Sequence, residues 1–238
     1  MVGTGIRVDA NEQAALRWGG LAGMLGSALL LAVFAFLATF VGLDTLDAKA
    51  AVERFPDIRW ARIIENTAYL LTLALWALHS MVLFIALRRA RLAPALAASV
   101  MSVLGLAFLA TGAVPHTAST AISDLYHAPD TATELRPFLV IAWQVSQAWV
   151  DTLVVTGIVL TPIGLLLYGI AMLGSPDYGK SMGVMGLLFG LAGLYAAVAA
   201  VIEEGDIVGL GIFALVFFHA ITGWTTYRLS QRPGIRTD

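Results

Sequence analysis

Six apolar runs, each long enough to cross a bilayer, leave this chain few choices of fold. A helix needs about 20 consecutive apolar residues to span the hydrocarbon core. Runs of that length fall at about 19–42, 63–87, 93–114, 148–172, 181–202 and 207–228. Lipid offers no partner to a backbone N–H or C=O, so each run must satisfy its own as a helix. The expected fold is therefore an all-α polytopic membrane helix bundle with six transmembrane helices. Composition agrees: 59% of residues are hydrophobic and 13% charged, against about a quarter charged in soluble domains.

Within that frame the chain divides into a tail at 1–18, a six-span domain at 19–228 and a tail at 229–238. Longer outer loops lie at 43–62 and 115–147. Met1 to Arg17 lacks the basic region, short apolar core and small-residue cleavage site of a secretory signal, so the first run is expected to stay. Nine basic residues fall on one side (Arg7, Arg17, Arg88, Arg89, Arg91, Lys180, Arg228, Arg232, Arg236) and five on the other (Lys49, Arg54, Arg59, Arg62, Arg136). By the positive-inside rule both termini are expected in the cytoplasm. Arginine outnumbers lysine twelve to two, and alanine and glycine are abundant. That usage points to a GC-rich bacterial genome and so to the bacterial inner (cytoplasmic) membrane. A net charge of −2 without a basic patch argues against nucleic acid. With no cysteine there is no disulfide, thiolate metal site or cysteine nucleophile.

Local signals set the boundaries. Pro94 suits the first turn of the third helix, Pro115 is expected to close it, and Pro162 is expected to kink the fourth. Asp44 to Trp60 reads as a short surface helix. Thr117 to Gln147 reads as an amphipathic helix at the interface, or as an outward extension of the fourth span. Trp60, Trp143 and Trp149 fit an outer aromatic belt, and Trp18 and Trp224 an inner one. No internal repeat is visible, so the inverted-repeat pattern of many transporters is missing.

The second span carries the clearest polar pattern. Glu65, Tyr69, Thr72, Trp76 and His79 recur at steps of 4, 3, 4 and 3, which places them on one helix face. Lipid would penalise that face, so it is expected to look inward, as a cavity wall or as a hydrogen-bonded seam. Asp151, a turn inside the fourth span with Gln144 and Gln147 on similar faces, is the second candidate. Tyr69, Thr72, Trp76 and Gln147 are candidate ligand-binding residues, and Glu65 and Asp151 the candidate catalytic groups.

Two cofactor readings follow from the histidines. His79 and His219 each precede an arginine on the same side of the membrane by nine residues, so their rings are expected at comparable depth. That meets one requirement of axial ligation to haem b. A seam of His219, Thr222 and Thr226 explains the second histidine more simply. Glu65, His116 and Asp151, with Glu203 and Glu204 beyond, would suit a divalent metal that activates water. No HExxH and no G-x-S-x-G occurs.

Apolar motifs also carry a family resemblance. Arg17-Trp18-Gly19-Gly20-Leu21 opens the first span, and Phe84-Ile85-Ala86-Leu87-Arg88-Arg89 ends the second. The hairpin Gly157 to Tyr195 holds Gly164-Leu165-Leu166-Leu167-Tyr168-Gly169 before its turn and the glycine-rich run from Gly183 to Tyr195 after it. In these features the chain resembles the bacterial six-span membrane proteins of domain-of-unknown-function family 4386. The resemblance implies an architecture and assigns no functional residue. Gly179, Gly183, Gly186, Gly190 and Gly193 form one smooth face, which fits close packing at the centre of the bundle or at a homo-oligomer contact.

The leading functional expectation is a non-catalytic protein that holds a lipid-like ligand or serves as an accessory subunit of a membrane assembly. The alternatives are a membrane-embedded metal-dependent hydrolase with an outer-face site, and a b-type haem or quinone-binding redox protein.

Overall fold

The computed structural model describes residues 10–42, 46–202 and 207–232. Among them are seven α-helices, one 3-10 turn (Thr133–Leu135) and no strand. The helices are α1 (Ala10–Phe40), α2 (Ala48–Leu87), α3 (Leu92–Gly112), α4 (Val114–His127), α5 (Arg136–Leu173), α6 (Gly179–Ile202) and α7 (Val208–Ser230). Six candidate spans are carried by α1, α2, α3 running on into α4, α5, α6 and α7. Their outward faces are apolar: Leu71, Leu78 and Met81 on α2, Leu188 and Leu191 on α6, and Phe213 and Phe217 on α7 are all exposed. Water would penalise such surfaces over so large an area, and lipid does not.

The spans form a ring. Each packs beside its neighbour in sequence, α7 closes onto α1, and α2, α5 and α7 also touch one another inside. Hydrophobic burial contributes little to helix association in lipid, so close backbone approach has to hold the ring. Gly20 of α1 meets the α7 backbone at Gly223 and Tyr227, and Gly105 of α3 meets α5 at Gly157 and Thr161. On α6, Gly183, Gly186, Gly190 and Gly193 rest on Leu173, Gly169, Leu166 and Pro162 of α5. That glycine face is therefore used within the chain. Yet α6 is not central, since among the described residues it packs only on α5 and α7. Gly179 opens α6 with φ +74°, a backbone angle that L side chains rarely adopt, and so turns the chain back after α5.

The two ends of the ring differ. One end gathers both described termini: Gln13 donates to the Arg232 carbonyl at 3.1 Å, and Arg232 pairs with Asp177 at 2.7 Å. There Arg88 and Arg89 converge on Glu12 at 2.6 and 2.7 Å. At the opposite end α2 and α5 overrun the bundle. The 40 residues of α2 reach about 60 Å at 1.5 Å per residue, twice a hydrocarbon core of about 30 Å. Their projecting ends enclose α4 in a cap with its own small core of Val52, Phe55, Tyr126 and Trp143. Trp143 meets Phe55 edge-on at 5.3 Å, Tyr126 donates to Glu53 at 3.0 Å, and Arg59 pairs with Asp124.

The cap changes several expectations. Of the stretch from Asp44 to Trp60, the described part from Leu46 makes no separate helix: Asp47 caps α2 by accepting from the Ala50 N–H at 2.8 Å, and the helix runs on through Pro56. Pro115 sits in the first turn of α4, where its missing N–H costs nothing, and α3 has already ended at Gly112. Residues from Arg136 to Gln147 extend the fourth span outward in one unbroken helix, one of the two forms expected for that stretch. Trp143 leaves the aromatic belt for the cap core, while Trp60 and Trp149 at the same end remain exposed.

Candidate functional site

Two compartments lie end to end along the same faces of α1, α2 and α5. The deeper is a cavity of about 180 Å³. Its walls are apolar: Leu30, Val33, Phe34 and Leu37 from α1, Val154 and Ile158 from α5, and Leu109 and Leu215 from α3 and α7. On α2 the lining runs from Glu65, Asn66 and Tyr69 through Leu73 to Trp76. A cavity of about 150 Å³ suffices to hold benzene, so this space takes one ring or the end of a hydrocarbon chain.

The second compartment, a basin of about 480 Å³, lies one turn further toward the cap. Here the turn after α1 contributes Val41 and Gly42, α2 contributes Arg54, Ile58 and Arg62, and α5 contributes Gln144, Gln147 and Asp151. The α5 face thus changes from Gln144, Gln147 and Asp151 in the basin to Val154 and Ile158 in the cavity, at steps of 3, 4, 3 and 4. An ion pair marks the boundary: Arg62, which lines the basin, donates to Glu65, which lines the cavity, at 2.8 Å. Arg54 donates to the Val41 carbonyl at 2.5 Å.

Beyond the cavity lies a buried polar seam between α2, α1 and α7. Trp76 stacks on His219 with centroids 4.6 Å apart and planes 12° from parallel. His79 meets His219 edge-on at 5.3 Å. Its Nδ1 lies 2.8 Å from the Gly19 carbonyl and its Nε2 3.1 Å from the Thr222 hydroxyl. A carbonyl only accepts, so Nδ1 carries the proton; the Thr222 hydroxyl at Nε2 also lies 2.5 Å from the Phe218 carbonyl, and its single proton serves one of the two. Further along α7, Thr226 donates to the Thr222 carbonyl at 2.7 Å and shares a 2.7 Å hydrogen bond with Tyr178. Tyr178 follows the end of α5, outside the spans. Burial pushes its hydroxyl well above the ordinary tyrosine range; the Thr226 bond opposes this and the charge of Asp177 adds to it.

These positions sort the sequence candidates. Tyr69 and Trp76 line the cavity, and Gln147 lines the basin. Thr72 is fully buried and lines neither; its hydroxyl has no partner among the described residues. Glu65 and Asp151, the candidate catalytic pair, fall in adjoining compartments, with Glu65 already engaged by Arg62. The side chain of His116, the third expected metal ligand, lies outside the described residues, as do Glu203, Glu204 and Asp206. Among the described residues no three His, Asp or Glu side chains converge. His79 and His219 do share a depth, yet their rings touch, and both nitrogens of His79 are engaged. A porphyrin between them would have to part α2 from α7.

Sequence reasoning overlooked Arg54, Arg62 and the α1 wall. One signal was present. Counting outward from Glu65, the stripe continues through Arg62, Ile58 and Arg54 at steps of 3, 4 and 4, once α2 is known to extend that far. Nothing comparable marks α1, whose wall is uniformly apolar.

In comparisons with known proteins, no family model, no curated protein and no solved structure matches the chain.

Proposed function

We propose that this chain is a non-catalytic bacterial inner-membrane protein that holds one lipid-like amphiphile in the cleft of α1, α2 and α5. The observation that carries the reading is the stacking of a polar basin on an apolar cavity along common helix faces. An amphiphile has the same order of chemistry, with head outward and tail inward. The cavity volume accommodates a ring or chain end, and the basin falls within the 300–1,000 Å³ usual for ligand sites. Both termini are taken as cytoplasmic by the positive-inside rule, their end of the bundle carrying Arg17, Arg88, Arg89, Arg91, Lys180, Arg228 and Arg232. The basin then opens toward the outer leaflet. The likeness to family 4386 accords with such an architecture and adds no activity.

The test uses full-length protein in mild detergent and a phospholipid brominated on its acyl chain. Trp76 lines the cavity, so bromine entering it quenches that indole, and the quenching component disappears in Trp76→Phe. Val154→Trp fills the cavity and should abolish saturable binding. Quenching that never saturates, or that Val154→Trp leaves unchanged, would refute the reading.

A further inference from the structure

We infer that the basin recognises a zwitterionic phospholipid headgroup bearing a primary amine, with Arg54 taking the phosphate and Asp151 the ammonium. The inference rests on the amphiphile reading above and specifies its head. Of the charged residues lining the basin, Arg62 is already paired with Glu65. The other two, Arg54 on α2 and Asp151 on α5, have no ion-pair partner among the described residues. They are opposite in sign and stand on different helices, as a ligand carrying both charges requires. With Glu65 counted, the four described charges at the basin sum to zero, which suits a ligand carrying both signs.

The local geometry leaves both groups usable. Arg54 is anchored by one N–H on the Val41 carbonyl, and a guanidinium has five N–H donors. Gly42 beside it has no side chain to cover it: a Cβ there would stand 3.5 Å from Nη2. Asp151 is exposed to the basin and accepts no hydrogen bond within the described protein. A carboxylate needs a donor. Ethanolamine supplies three N–H groups, whereas choline supplies none and is usually held by an aromatic cage. Among the described residues the aromatic pair at the basin, Trp143 and Phe55, is committed edge-to-face to the cap core. Gln144 and Gln147 complete the polar wall with groups that both donate and accept.

The experiment titrates full-length protein with phosphatidylethanolamine, phosphatidylglycerol and phosphatidylcholine of identical brominated chains, reading Trp76 quenching. The ethanolamine lipid should bind about tenfold more tightly than either other, the scale of one charge-assisted hydrogen bond. Arg54→Gln should weaken all three by a similar factor. Asp151→Asn should erase the ethanolamine preference, and Asp151→Lys should turn it toward the anionic glycerol lipid. Retained quenching by brominated diacylglycerol, which has no charged head, shows that each variant is folded. Equal wild-type affinities for the three phospholipids would overturn the headgroup assignment and leave the cleft reading standing. Absence of saturable quenching by every lipid would remove the cleft reading itself.

Discussion

Trp76 lies flat against His219, centroids 4.6 Å apart, so that one indole is both a lining residue of the cavity and the cover of the polar seam. The stack separates an apolar space from a pair of imidazoles. Trp76→Ala should join cavity to seam and cost about 3–5 kcal/mol, the usual loss for truncating a buried tryptophan. Trp76→Phe should recover most of that. Thermal unfolding in detergent, monitored by circular dichroism, separates the two variants, and equal midpoints would show that the stack contributes nothing.

His79 ties three helices together through Gly19 of α1 and Thr222 of α7. His79→Ala removes both side-chain hydrogen bonds, leaves a void among buried residues, and should destabilise by about 2–4 kcal/mol. If the histidine acts as a seam, protein from haem-replete cells should show no Soret band, and the variant should differ from wild type in stability alone. A Soret band lost on substitution would restore the haem reading.

Gly186→Leu tests where the glycine face is spent. A Cβ at 186 would fall 2.9 Å from the Gly169 Cα of the same chain. The expected effect is a loss of about 1–3 kcal/mol from overpacking, at any protein concentration. Leu188→Ala, on the exposed face of α6, should be nearly silent. Light scattering after size exclusion settles the matter: a change in subunit number with unaltered unfolding would return the face to an oligomer contact.

Tyr178 predicts an alkaline weakness. Burial raises its folded-state pKa, while the unfolded chain releases the same proton near pH 10. The unfolded state therefore holds fewer protons above that pH, and stability falls as pH rises past about 10. Below it the contribution is fully present. Tyr178→Phe should lower the neutral-pH midpoint slightly, by about 1 kcal/mol for the Thr226 hydrogen bond, and should flatten the decline between about pH 10 and 11. An identical alkaline slope in both proteins would exclude Tyr178 as its source.

At the termini end, Glu12 holds Arg88 and Arg89 while both arginines stay 41% exposed. Solvent screens such pairs, so Glu12→Gln should cost no more than about 1 kcal/mol and less in high salt. A large, salt-independent loss would indicate a structural role beyond the ion pairs.

Much of this arrangement is legible in the chain alone. Spans follow from hydropathy because each helix satisfies its own backbone, so length and apolar content decide membership without reference to neighbours. The inward face of α2 and that of Gln144 to Asp151 follow from helical period, which is equally local. The glycine ladder of α6 announces close packing, though not with what.

Adjacency is where local rules end. Periodicity could not tell that Trp76 would cover His219, that Trp143 would turn into a cap core, or that α6 would lie outside with its glycines on α5. Nor could it show that Arg54 and Asp151 line one basin. Each of these depends on which surfaces interlock among residues far apart in sequence, and in lipid that choice rests on shape and on a few hydrogen bonds, since apolar faces are interchangeable there. The chain by itself determined six helices and their polar stripes; only the packed ring decided which stripes share a cleft.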